Sequence, residues 1–255
     1  MPAIANPTVQ VAQQNTSEID AAIAEGMRLL KEGNVDSLKK AIGYFEKALG
    51  LARSAKVQQD KQALSLEYLG YIHNLLGEKQ KAIDYFNQDL FIRRALGDQS
   101  GEASTLTNLG SVYDSLGEKQ KAIDYFNQSL LISRAVGDRS VEAATLNNLG
   151  LSYDSLGEKQ KAIDYYNQTL PIRREVGDRS GEAVTLHNLG TFYFSLGEKQ
   201  KAIDYYNQAL LILHAVGDRR EEAVTLNNLG NIYDSLGDKQ KARDCKIVCV
   251  KGQKR

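Results

Sequence analysis

The chain has 255 residues, with 32 basic and 32 acidic side chains and a formal net charge of zero. That balance argues against the basic footprint of a nucleic-acid binder. Hydrophobic residues at 42% and charged residues at 25% fit a folded chain in water, and no apolar run approaches the length of a membrane span.

The N-terminal stretch "MPAIANPTVQVAQQNTSE" has no charged start and no apolar core, so it is not a complete signal peptide. Residues 1–16 are expected to be disordered. "AIA" followed by polar residues is similar to the tail of a cleaved leader. A cytoplasmic setting is therefore the expectation, with export as the alternative if the true start lies upstream.

From there a repeat takes over. Gly70, Gly110, Gly150, Gly190 and Gly230 recur 40 residues apart, and Gly77, Gly117, Gly157, Gly197 and Gly237 form a second ladder with the same step. Between these marks lie two helical patterns per unit. Leu106, Leu109, Tyr113 and Leu116 form one apolar stripe at helical spacing, and Ala122, Ile123, Phe126 and Leu130 form the next. Gly117 separates the two helices, Gly137 is placed for a left-handed C-cap, and Asp138 or Ser140 for the following N-cap. Each unit is thus a helical hairpin with more apolar surface than it can bury alone, and stacking on neighbours buries the rest. A long coiled coil is excluded by the glycines that interrupt every unit. A transmembrane array is excluded by the narrow stripes.

Six units result: 17–57, which is degenerate, then 58–97, 98–137, 138–177 and 178–217, and 218–255, whose second helix is divergent or truncated. In the first, Gly26 precedes Ala41 by 15 residues where Gly110 precedes Ala122 by 12, so the turn there is expected to be swollen. In the fourth, Pro171 replaces Leu131 and Leu211 of the neighbouring copies and predicts a local kink. In the sixth, Arg243 and Lys246 stand where Ile203 and Tyr206 stood. That end is expected to fray or to pair with a second copy, with Cys245 and Cys249 near the contact. Those two cysteines lack the further ligands of a metal site, so no metal and no cofactor is expected.

The run Leu106, Leu109, Gly110, Tyr113, Ala122 and Phe126 resembles the tetratricopeptide repeat (TPR). Two features depart from it: the 40-residue step, against about 34 in the family, and Leu where Trp is usual. The long form, with "REVGDRSGEA" from Arg174 to Ala183, is similar to LGN/Pins-type and kinesin-light-chain-type scaffolds and to arrays in large bacterial signalling proteins. The resemblance implies an all-α fold, a right-handed α-solenoid of helix-turn-helix hairpins. It places first helices on a concave face and second helices on the outer wall. It implies a non-catalytic scaffold that binds an extended or helical peptide. A fragment or regulatory arm of a bacterial signalling protein, self-associating through its C-terminal end, is the alternative.

Candidate partner-binding residues follow from where the copies differ. Opposite the Leu106 stripe lies a polar stripe, Ser104, Thr107, Ser111 and Asp114. Its counterparts change from copy to copy: Ala144, Asn147, Leu151 and Asp154, then Val184, His187, Thr191 and Phe194, then Val224, Asn227, Asn231 and Asp234. The second helix "EKQKAIDY" hardly changes. Asn108, Asn148, Asn188 and Asn228 stand two residues before each ladder glycine. Amides there can grip a peptide backbone, or else bond a neighbouring helix and lock the stack. No basic residue stands where a clamp for an acidic tail would need one. Asp114, Asp154 and Asp234, with Phe194 and Leu151 as apolar spots, favour a partner that carries basic and apolar residues. His73, His187 and His214 occupy unlike positions in their units. No nucleophile–base pair, metal set or phosphate loop converges, so an enzyme is not expected. An RNA-reading helical repeat is disfavoured by the neutral charge.

Overall fold

The computed structural model describes residues 7–54 and 58–252. Among these the structure is all helical, with twelve α-helices and no strand. The chain divides into two compact units, 1–136 and 137–255. The first unit holds α1 (Pro7–Glu32), α2 (Val35–Ser54), α3 (Gln59–Leu75), α4 (Lys79–Leu96), α5 (Gln99–Ser115) and α6 (Lys119–Val136). The second holds α7 (Arg139–Ser155), α8 (Lys159–Glu175), α9 (Arg179–Ser195), α10 (Lys199–Val216), α11 (Arg219–Ser235) and α12 (Lys239–Gly252). Consecutive helices pair as hairpins. In the first unit α1, α3 and α5 lie next to one another, and in the second α7, α9 and α11 do. This is the hairpin stacking of an α-solenoid.

The helices start and stop where local chemistry dictates. Asp138, Asp178 and Asp218 each accept a hydrogen bond from the backbone three residues on, at 3.0, 2.8 and 3.1 Å, and so cap α7, α9 and α11. Of the two N-caps offered at 138 and 140, the aspartate is the one used. Inside the hairpin the chain turns at Gly117 with φ of 81°, a left-handed conformation that costs glycine little. Gly110 serves differently. A Cβ there would lie 2.5 Å from the Phe126 ring, so the glycine lets the second helix lay its aromatic directly on the backbone of the first.

The apolar stripes are buried as the periodicity predicts, with one exchange. Leu106, Leu109, Tyr113, Ala122, Ile123, Phe126 and Leu130 are buried, but Leu116 is exposed and Val112 takes its share of the core. Leu116 is the C-cap of α5 and points out of the turn. The third, fourth and fifth hairpins are also clasped by stacked rings: Tyr113 on Tyr125, Tyr153 on Tyr165 and Tyr193 on Tyr205, with centroids 5.3, 5.4 and 5.3 Å apart. His73 takes the tyrosine's place in the second hairpin, stacking on Tyr85.

Two local expectations need correction. Helix α1 begins at Pro7, so residues 7–16 are helical rather than irregular; proline suits a first helical turn, where its missing N–H has no partner to lose. The first hairpin's three extra residues do not swell its turn. Asn34 caps α2 early, accepting from Ser37 N at 2.8 Å, and the insertion becomes part of the helix. Pro171, where a local kink is expected, lies within α8, which runs on to Glu175. It sits on the exposed side, where water can serve the carbonyl its ring leaves unpaired.

In the sixth hairpin α12 is helical and Cys245 is buried against Tyr206, Leu229 and Ile232. The side chain of Cys249 lies outside the described residues. No helix among them is long and apolar enough to cross a membrane.

Candidate functional site

The faces of the first helices carry most of the residues singled out above. In the second unit Asn148, Asn188 and Asn228 stand at one register on α7, α9 and α11, each half-buried; Asn108 is half-buried on α5. The amides do not simply wait for a ligand. Asn188 Nδ2 donates to Asn147 Oδ1 at 3.1 Å, and Asn228 Nδ2 lies 3.4 Å from His187 Nε2. These two ladder asparagines thus reach back to the preceding first helix and tie the stack together.

In α7 and α9 the residue just before the ladder asparagine proves to belong to the seam between first helices. Asn147 is 4% exposed, and its Oδ1 also receives Thr185 Oγ1 at 3.3 Å. His187 is half-buried, with Nδ1 2.9 Å from Thr225 Oγ1. Because Thr225 gives its proton to the Glu221 carbonyl at 2.8 Å, His187 donates from Nδ1 and accepts at Nε2. Burial holds its imidazole below the usual range. Thr107 is buried in the same register and bonds Ser129 at 2.7 Å. Asn227 alone of the three candidates in this register stands exposed.

The groove acids are not free negative charges. Lys119 pairs with Asp114 at 2.8 Å, Lys159 pairs with Asp154, and Lys239 and Lys246 reach Asp234 at 3.2 and 3.5 Å. In the third, fourth and sixth hairpins the lysine that opens the second helix curls back over the turn, so the expected acidity is largely neutralised. The Lys239 ammonium, hydrogen-bonded to Asp234, holds that carboxyl below the usual range. In the fifth hairpin Phe194 stands in the aspartate's place, and Lys199 Nζ donates to the Ser235 carbonyl at 3.1 Å instead. The face of the second unit exposes apolar Leu151, Val184, Phe194 and Val224, with Val184 37% and Phe194 38% exposed, beside polar Thr191, Asn227 and Asn231.

Two features escaped the sequence reading. One is the seam register itself, which a stripe drawn on a single helix cannot distinguish from groove. The other lies on the second helices: Phe91, Leu131 and Leu211 are 75%, 73% and 74% exposed at one repeat position. A fixed apolar residue at a step of 40 marked it in the sequence. Among the described residues, no group of three or more His, Cys, Asp or Glu side chains is arranged to hold a metal ion.

Helical hairpins stacked through glycine-on-ring contacts and a first-helix seam define a helical-repeat protein. Models of the tetratricopeptide repeat match residues 120–175 and 181–246, and residues 103–135. Together they span more than half of the chain, which belongs to the tetratricopeptide-repeat family. No curated protein matches the sequence. Among solved structures it is similar to BtubC (BKLC) from P. vanneervenii, with TM-score 0.68 and 23% identity over 87% of this chain and 90% of that one. It is similar to aspartyl phosphate phosphatase F from Bacillus subtilis, with TM-score 0.70 and 15% identity over 97% and 73% of the two chains. It is also similar to NprR in complex with its cognate peptide NprX, with TM-score 0.65 and 18% identity over 94% and 67%. At these identities the likeness is one of fold.

Proposed function

We propose that this chain is a non-catalytic interaction scaffold that holds a peptide segment of a partner protein, extended or helical, on the face of its first helices. The observation that carries this is the face of α7, α9 and α11. It pairs half-buried amides at a constant register with exposed Leu151, Val184, Phe194 and Val224, which vary from hairpin to hairpin. Amides recognise backbone and exposed apolar side chains select sequence, which is how a groove holds an extended segment. NprR, of like fold, takes a peptide, which supports the reading. Basic residues in the partner would share Asp154 and Asp234 with lysines whose surface ion pairs are weak. Zero net charge favours a protein over a nucleic acid, and a cytoplasmic setting goes with this reading.

The test is selection of peptides from a displayed random library on the intact chain. Selected peptides should lose binding to Val184→Glu and Phe194→Ser, and keep it with Leu211→Ser on the second-helix wall. Equal loss with all three, or loss only with Leu211→Ser, would move the site off the first helices.

Self-association through the sixth hairpin is a second reading. Its support is Gly230, which alone of the ladder glycines has no ring over it: Cys245 Cβ, 3.4 Å from a Cβ placed there, is the nearest atom. Light scattering across a concentration series tests it, and a constant monomer mass would exclude it.

A further inference from the structure

Among the described residues, two buried polar atoms in the fourth hairpin find no hydrogen-bond partner, Tyr166 Oη and Arg173 Nε. The second hairpin shows what Arg173 lacks. There Arg93 lies in the same repeat position, and every edge of its guanidinium is used. Nε donates to the Asp89 carboxylate at 2.9 and 3.1 Å, Nη2 to Glu67 at 2.5 Å and Nη1 to Asp98 at 2.6 Å. Glu67, on α3, also receives Ser104 Oγ of α5 at 3.4 Å, so its carboxylate bridges two first helices beside the guanidinium.

In the fourth hairpin the cation stays and two of its three acids are gone. Asn147 stands in the place of Glu67 and Thr169 in that of Asp89; only Asp178 remains, 2.5 Å from Nη1. Thr169 gives its proton to the Tyr165 carbonyl, and the Asn147 oxygen is engaged by Asn188 and Thr185. The nearby Glu182 is taken by Arg174 and Arg179. The third and fifth hairpins carry Ser133 and Leu213 at this position, so they need no acids. Arg173 is 9% exposed. A guanidinium so buried, with its Nε unmatched, is costly unless an anion completes it.

We propose that the seam between α7 and α9 accepts one carboxylate from a bound peptide, which pairs with the Nε–Nη2 edge of Arg173, the edge that Asp89 and Glu67 cover on Arg93 in the second hairpin. The inference deepens the peptide-binding reading and rests on it: one residue of the bound segment is acidic, beside its apolar ones. A planar guanidinium with Nε and Nη2 open on one edge suits a two-point carboxylate contact. About a tenth of the Arg173 side chain still meets solvent.

The experiment follows the Arg173 Nε–Hε resonance by nuclear magnetic resonance in the intact chain, assigned by its loss in Arg173→Lys. Three small probes are titrated at matched ionic strength. N-acetylglutamic acid α-amide offers a side-chain carboxylate, N-acetylglutamine a main-chain carboxylate, and N-acetylglutamine α-amide neither. A saturable shift with one of the acids and none with the neutral probe is expected, and which acid acts tells whether the partner uses a side chain or its C-terminus. In Asn147→Glu the protein's own carboxylate fills the place, and the shift should vanish; Thr169→Asp is the second variant should the first not fold. No shift with either acid, an equal shift with the neutral probe, or an undiminished shift in the folded variants would overturn the proposal. The small probes need no groove, so peptides that select Val184 and Phe194 while Arg173 stays silent would sink this inference and leave the proposed function standing.

Discussion

The hydroxyl of Tyr206 lies 2.9 Å from Thr191 Oγ1 and also pairs with Asn228. Its counterpart one repeat earlier, Tyr166, is 0% exposed and its hydroxyl has no partner. The cause is one substitution: Leu151 stands in the place of Thr191. Burial pushes the Tyr166 phenol's pKa up. A buried hydroxyl left unpaired costs about 1–3 kcal/mol. Tyr166→Phe is therefore expected to stabilise the second unit by about 1 kcal/mol, while Tyr206→Phe destabilises it by about the same amount. Leu151→Thr should recover stability by supplying the missing acceptor. Thermal melts of the three variants check the pattern, and a loss with Tyr166→Phe equal to that with Tyr206→Phe would refute it.

The ladder glycines give a second contrast. A Cβ at Gly190 would lie 2.7 Å from the Tyr206 ring, whereas at Gly230 the nearest atom is Cys245 Cβ at 3.4 Å. Gly190→Ala must displace a packed ring and should cost about 1–3 kcal/mol. Gly230→Ala meets ordinary contact and gains helix propensity, so it should be neutral or stabilising by up to about 1 kcal/mol. Denaturant midpoints of the two variants measured side by side decide this. Equal destabilisation would mean that the sixth hairpin is packed as tightly as the fifth.

The same glycines show how much of the fold was legible. Their 40-residue step, with the apolar stripes at helical spacing, gives the helices, their order and most of the core, because a repeat states each packing rule several times. The hairpin turn and the Asp caps are legible for the same reason. The site is less so. Asn147 and Asn148 are neighbours in sequence, yet one is buried in the seam and the other half-buried on the face, a difference of one step around the helix. Nor can a stripe reveal that Lys159 folds back on Asp154, since that contact crosses a hairpin turn. The missing acids around Arg173 were present in the alignment of copies, but only the contacts of Arg93 give them meaning.

His187 predicts a pH dependence. Its ring joins α9 to α11 in the neutral form, donating at Nδ1 and accepting at Nε2. Burial lowers its pKa in the folded chain from the ordinary value of about 6.5. The unfolded chain therefore binds the proton more readily. The contribution is fully present above about pH 6.5 and is lost as the pH falls below it towards the folded pKa. Protonated Nε2 would also face the Asn228 amide as a second donor. His187→Gln, which cannot titrate, should flatten this part of the melting-temperature profile between about pH 7 and 5. An unchanged slope in the variant would assign the effect to other groups.

Asn188 and Asn227 separate the two roles open to the groove amides. Asn188 is half-buried and bonded to Asn147 across the α7–α9 seam, and Asn227 is exposed on α11. Removing a net hydrogen bond of this kind costs about 0.5–1.5 kcal/mol, so Asn188→Ala should loosen the seam by about that much. In a stacked array the loss falls on the adjoining helices rather than on the whole chain. Amide exchange should accordingly quicken in α7 and α9 and stay unchanged in α12. Asn227→Ala should leave exchange everywhere as it was. Peptides selected on the intact chain then report the second role. If Asn188→Ala weakens them well beyond the tenfold that about 1.4 kcal/mol represents, the amide grips the ligand as well as the stack. If its effect on binding does not exceed its effect on exchange, Asn188 is a structural clasp, and sequence recognition lies with Val184, Phe194 and their apolar neighbours.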